Sequence, residues 1–193
     1  MMPHPRSRWT LLAAAVTALV AASCSEATIP VPPEAESPLF EVEYINYAWA
    51  PTWEGFYVDR EGRVFSYDLG GSRDQELADS VLTPAQLARK YEHGRTLVKT
   101  LPAGEAERMY ERVGAAQFGP FTEQKFACAD AGGRQYSAWI YRESDGRYHR
   151  LLLHLRGDLA QANRSPAARE LYHWLEDATG TADPGAGCDP YAD

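Results

Sequence analysis

Beyond residue 24 the chain carries His93, His149, His154 and His173, and these side chains are its first candidates for proton-transfer chemistry. If the chain turns at Gly157, His154 and Asp158 form an acid–base pair of the kind a hydrolase uses. His149 and His154 are five positions apart in one apolar stretch. A regular strand would send them to opposite faces, so they cannot share a metal. His93 falls near a helix end, where a cation suits the macrodipole. His173 falls off the apolar stripe of a helix. The nucleophile signatures Gly-x-Ser-x-Gly and Ser-x-x-Lys are absent from the sequence, as are a phosphate loop and His-Glu-x-x-His. Asp183, Asp189 and Asp193 lack the spacing of a calcium loop. The sequence therefore predicts no cofactor and no metal.

The amino-terminal stretch carries chemistry of a different kind. Arg6 and Arg8 precede the apolar run from Leu11 to Ala22, which ends in Ser23-Cys24. A basic start, a short apolar segment and a small-residue exit are the three parts of an export signal. The run is shorter than the roughly 20 residues a membrane-spanning helix needs. Val20-Ala21-Ala22-Ser23-Cys24 resembles the lipobox of bacterial lipoproteins, with Ala21 where leucine is usual. The resemblance covers only the first 24 residues. It implies that residues 1–23 are a signal peptide and that Cys24 is lipidated and becomes the first mature residue. It further implies a membrane partner, engaged through acyl chains and facing away from the cytoplasm. Ser25, which is not aspartate, points to the outer membrane if the cell is Gram-negative. Two or more acyl chains would anchor the protein stably.

With Cys24 assigned to lipid, Cys128 and Cys188 remain, and an exported compartment permits them to pair. The closed loop would hold about 60 residues, and its closure entropy would contribute about 4 kcal/mol. The pair would staple the carboxy-terminal tail to the domain. Neither cysteine has histidine or cysteine neighbours at metal-ligand spacing.

The full chain has a formal charge of −8. Removing the signal strips Arg6 and Arg8 and no acid, so the mature protein is more acidic still. That balance excludes nucleic acid as a partner, because phosphate binding runs on clustered cations. Arginine far outnumbers lysine, which reflects a GC-rich genome more simply than it does a function.

Tyr44, Tyr47, Trp49, Trp53, Phe56 and Tyr57 crowd one region. Such a cluster is either the core of a small sheet or a recognition surface. On the second reading, Trp49 and Trp53, which flank the break at Pro51, are the candidate binding residues, because loops present what strands bury. The partner would be another envelope protein or a small ligand.

These residues need elements to position them. Residues 24–38 contain Pro30, Pro32, Pro33 and Pro38 with Glu26, Glu34 and Glu36, the composition of an extended, solvated tether. Residues 39–193 read as a single domain. Leu39–Trp49 alternates Phe40, Val42 and Tyr44 against Glu41 and Glu43, as a strand does. Phe56–Asp59 and Arg63–Tyr67 form a hairpin around Arg60-Glu61-Gly62, with Asp59 facing Arg63. In it Phe56, Val58 and Val64 share one face, and Tyr57, Phe65 and Tyr67 the other. Residues 70–80 read as a loop. Thr83-Pro84-Ala85-Gln86 opens a helix with a capping box, and Gly94 stops it. A second helix spans about residues 103–117. A second hairpin pairs 134–142 with 148–155. Asn163-Arg164-Ser165 matches a glycosylation pattern, but Ser165 reads as the cap of a last helix, whose stripe is Leu171, Trp174, Leu175 and Ala178. The order predicts an α+β domain: an antiparallel sheet of four to five strands with about three helices packed mainly on one face. The absence of a nucleophile favours a non-enzymatic binding or structural module, with a hydrolase using His154 and Asp158 as the alternative.

Overall fold

A computed structural model describes Pro32 and residues 37–48, 51–71, 74–182 and 188–191, the Gln75 side chain excepted. The signal peptide, Cys24, Trp49, Asp183, Asp193 and most of the tether lie outside the described residues. The strands are β1 (Pro38–Asn46), β2 (Thr52–Asp59), β3 (Arg63–Asp68), β4 (Val81–Leu82), β5 (Thr96–Thr100), β6 (Lys125–Phe126), β7 (Gly133–Arg142), β8 (Arg147–Gly157) and β9 (Leu159–Ala162). The helical segments are α1 (Gln75–Ala78), α2 (Pro84–Glu92), α3 (Glu105–Tyr110), α4 (Val113–Ala116) and α5 (Pro166–Thr179).

The fold is α+β, but the sheet is larger than the four to five strands expected. Among the described residues it has nine strands, in the order β5-β3-β2-β1-β7-β8-β9-β6, with β4 on β8. The additional strands are short or lie at the periphery, where few residues carry a repeating pattern. Residues 70–80 are not all loop, because Asp74 caps the short α1. The helix expected over 103–117 is divided into α3 and α4.

Local chemistry explains the central elements. In the β2–β3 hairpin, Gly62 takes the left-handed conformation at φ 77°. Asp59 accepts from the Arg63 backbone N–H at 2.9 Å and from its Nε at 2.7 Å. Thr83 and Gln86 form a reciprocal capping box at α2. Ser165 accepts from the Ala168 N–H at the start of α5, and Gly180 ends that helix.

The sheet buries both faces. On one, Phe40, Val42, Val58, Val64, Ala138 and Ile140 meet α3, α4 and α5. On the other, Tyr57, Phe65, Tyr67, Trp139 and Tyr148 meet Leu87 and Tyr91 of α2. Three helical segments thus lie on the first face, and α2 covers the second, because that face too is aromatic. The end of the tether region is docked, with Ser37 buried and accepting from the Tyr148 hydroxyl at 3.1 Å. The Pro32 carbonyl accepts from Arg60 at 3.1 Å. Cys128 and Cys188 are joined by a disulfide with a Cα–Cα distance of 5.4 Å, which holds residues 188–191 against the end of the sheet.

Candidate functional site

One cleft, of about 590 Å³, lies where the end of β8, the end of β9, the start of α5 and the disulfide-held tail converge. Among the polar residues that line it is the buried His154, 3% exposed. A β-bulge puts His154 there. Tyr136 of β7 pairs with His154, yet Ser137 pairs with Leu152, so Leu153 is an extra residue in β8. A bulge of this kind changes the facing parity of everything beyond it. Leu153 and His154 consequently both meet α5, Leu153 in its apolar core and His154 stacked on Tyr172 with ring centroids 4.1 Å apart. The expectation that His149 and His154 face opposite sides is corrected for the same reason. His149 pairs with Ile140 and His154 with Tyr136, which share a face.

The histidine has a carboxylate partner, but it is not Asp158. His154 Nε2 is 2.7 Å from Asp189 Oδ2, in the tail that the disulfide holds in place. Asp158 instead accepts from the Ala131 N–H at 2.8 Å and fixes the loop beneath β7. Burial pushes the Asp189 carboxyl up. The hydrogen bond and charge of His154, the Tyr191 N–H and the Arg156 charge outweigh it and hold the group below the usual aspartate range. Among the described residues His154 Nδ1 has no hydrogen-bond partner.

Behind this pair lies a second polar layer. The Tyr172 hydroxyl donates to Glu176 at 2.9 Å, and Arg156 donates to the same carboxylate at 2.9 Å. Burial and the neighbouring Glu176 push the Tyr172 hydroxyl well above the usual tyrosine range, so it stays a donor. The other walls come from separate elements. Phe121 and Thr122 run alongside Ala162, Asn163 and Arg164, Glu123 and Lys125 follow them, and Arg169 and His173 come from α5. Tyr191 closes the end, donating to the Glu123 carbonyl at 2.6 Å. Lys125 Nζ lies 5.1 Å from the centre of the Tyr191 ring.

The other sequence-derived candidates are elsewhere. Trp53 is not a surface residue. It is 1% exposed, and its indole N–H donates to Glu43 at 2.9 Å. It belongs to β2 and not to the Pro51 loop, and strand parity turns it toward the face covered by α2. His93 is the C-cap of α2, His149 binds Asp145 at 2.7 Å, and His173 lies 3.3 Å from Glu176.

The sequence reading missed a buried ionic cluster under α2. Lys90, Glu41 and Glu43 are essentially unexposed, and Arg150 is nearly so. Lys90 Nζ binds Glu41 at 2.7 Å and also contacts Glu43, while Arg150 binds Glu43 at 3.1 Å. Two acids and two bases leave the cluster formally neutral. The rings of Trp53, Tyr67, Tyr91 and Trp139 surround the ammonium at 5.6 to 5.9 Å. Burial raises the Glu43 carboxyl, but Lys90, Arg150 and the Trp53 N–H bring it down to about 2. The cluster is enclosed, which gives it a structural role.

Comparison of the chain with protein-family models, curated proteins and solved structures finds no match among any of them.

Proposed function

We propose that this chain is a lipid-anchored bacterial envelope protein. Its α+β domain is a non-enzymatic binding module, and the His154 cleft is its binding site. The anchor rests on the lipobox resemblance at Cys24, and the Cys128–Cys188 disulfide supports export, since disulfides persist in oxidising compartments. The binding role rests on one observation. A cleft of about 590 Å³, within the range of small-molecule sites, is walled by a buried histidine whose Nδ1 has no partner among the described residues. The site's occupant, rather than Trp49 and Trp53, would bring the partner.

Two experiments test this reading. Labelled palmitate should enter the wild-type protein and not the Cys24→Ala variant; equal labelling, or none in either, removes the anchor. A thermal-shift screen of small molecules should yield stabilising ligands whose effect disappears in Ala162→Phe, which fills the cleft. Ligands unaffected by that change would place binding elsewhere.

A second reading, a cell-surface hydrolase, is favoured by the His154–Asp189 hydrogen bond. Asp189 would keep the proton on Nε2 and leave Nδ1 as a general base. Among the described residues, however, His154 Nδ1 has no hydroxyl or thiol within hydrogen-bond reach. The binding reading is the better supported of the two. Turnover of simple esters that vanishes in His154→Gln would reverse that order.

A further inference from the structure

We propose that the cleft selects a small organic oxyanion: a carboxylate or phosphate head on a planar, apolar body. The inference rests on the cleft being a binding site and adds the class of ligand.

The cleft's charge runs against that of the chain. The protein carries −8 overall, yet the lining includes Lys125, Arg164 and Arg169. Among the described residues none of these three cations is in an ion pair. Three carboxylates stand nearby. Asp189 is held by His154, and Glu123 sits at the exposed rim. His173 is shared with Glu176.

The placement of the arginines makes the same point from stability. Arg164 immediately precedes the Ser165 cap, and Arg169 lies early in α5, whose first turn contains no acid. Cations near a helix start oppose the macrodipole, and here no anionic side chain relieves them. A bound oxyanion would satisfy both arginines and the dipole together, and guanidinium groups suit carboxylate and phosphate geometry.

Beneath these charges, the buried His154 offers Nδ1. Its Nε2 is held by Asp189, and among the described residues Nδ1 has no partner, so the ring keeps one nitrogen for a ligand. Phe121, Leu153 and Ala162 supply the apolar floor. A head that engages cations and a body that covers rings define an aromatic or alicyclic acid better than a sugar or a free ion.

The test is a titration of the full-length protein in neutral detergent, followed by calorimetry and by backbone amide NMR. The probes are phenyl phosphate, benzoate, inorganic phosphate and the uncharged benzamide. Phenyl phosphate and benzoate should shift the amides of Leu153, Ala162 and Asn163. Inorganic phosphate and benzamide should bind at least about tenfold more weakly, each lacking one half of the ligand. The double variant Arg164→Gln, Arg169→Gln should weaken both anionic probes about tenfold or more without lowering the melting temperature. Benzamide binding as tightly as benzoate, at the same amides, overturns the oxyanion class and leaves the cleft as a binding site. Indifference of the anionic probes to the double variant overturns it equally. Shifts confined to residues outside the cleft overturn both the class and the site.

Discussion

Lys90 Nζ lies 2.7 Å from Glu41 Oε1, and neither side chain reaches solvent. The contact joins α2 to the central strand β1 across an otherwise aromatic layer. An ion pair so enclosed is weak evidence for net stability, since desolvation offsets most of its attraction, but breaking it from one side is costly. Lys90→Met keeps the approximate volume and leaves Glu41 and Glu43 facing Arg150 alone. The variant should lose about 3–5 kcal/mol in denaturant unfolding. Adding Glu41→Gln should recover much of that loss, because the Glu43–Arg150 pair then balances. Equal stability of the single and double variants would show that the charges do not govern the site.

The same cluster sets the acid response. The Glu43 carboxyl falls from 4.5 to about 2 in the folded protein, so the unfolded chain binds more protons between those values. Its contribution is fully present above about pH 4.5 and is lost as pH falls through about 2. The shift corresponds to roughly 3 kcal/mol. Asp59 works the other way, because burial raises its carboxyl despite Arg63, and its contribution declines as pH rises above 3.8. Unfolding of wild type should therefore become steeply easier between pH 4.5 and 2. Glu43→Gln should flatten that slope; an unchanged slope would assign it to other acids.

Physical reasons separate what the sequence reading resolved from what it did not. The two hairpins were legible because alternation and turn chemistry are local, and Asp59 meets Arg63 only four positions away. Glu41 and Glu43 read as the wet face of a strand because their cations come from afar. Lys90 is 47 residues from Glu43, and Arg150 is 107. Trp53 falls to the core alternative of the aromatic cluster, and its indole partner Glu43 lies ten residues away on the neighbouring strand. His154 was identified as a candidate, but its partner was not. The extra residue Leu153 carries no signature, and Asp189 is brought near by a disulfide and not by sequence proximity. Thr96–Thr100 carries β-branched residues, but all five are exposed, so no alternation of buried and exposed positions marks the strand.

Gly55 is where the ionic cluster depends on a missing side chain. A Cβ there would lie 2.3 Å from the Val42 carbonyl oxygen and 2.7 Å from the Tyr67 hydroxyl. Tyr67 crosses that space to donate to Glu41 at 2.7 Å. Backbone cannot yield as a flexible side chain can, so Gly55→Ala should cost about 1–3 kcal/mol. In Tyr67→Phe the hydrogen bond to Glu41 is already gone. Added to that variant, Gly55→Ala should lose less than it does alone, and strict additivity in a double-mutant cycle would refute the coupling.

The disulfide and the cleft are linked through Asp189, the residue after Cys188. Cys128→Ser with Cys188→Ser should lower stability by about 4 kcal/mol, given a separation of 60 residues. It should also free Asp189 from His154, which the ring resonances of His154 would report. Asp189→Asn separates the two effects, since it keeps the crosslink and removes the charge. The carboxyl of Asp189 is held below its usual value by His154, so its contribution is present above about pH 3.8 and fades as pH falls below it. Asp189→Asn should therefore perturb the His154 ring at neutral pH while the melting temperature falls far less than in the cysteine double variant. If the cysteine variant leaves the His154 resonances unchanged, the tail is held by its own contacts, such as the Tyr191 hydrogen bond to Glu123. The crosslink would then serve stability alone.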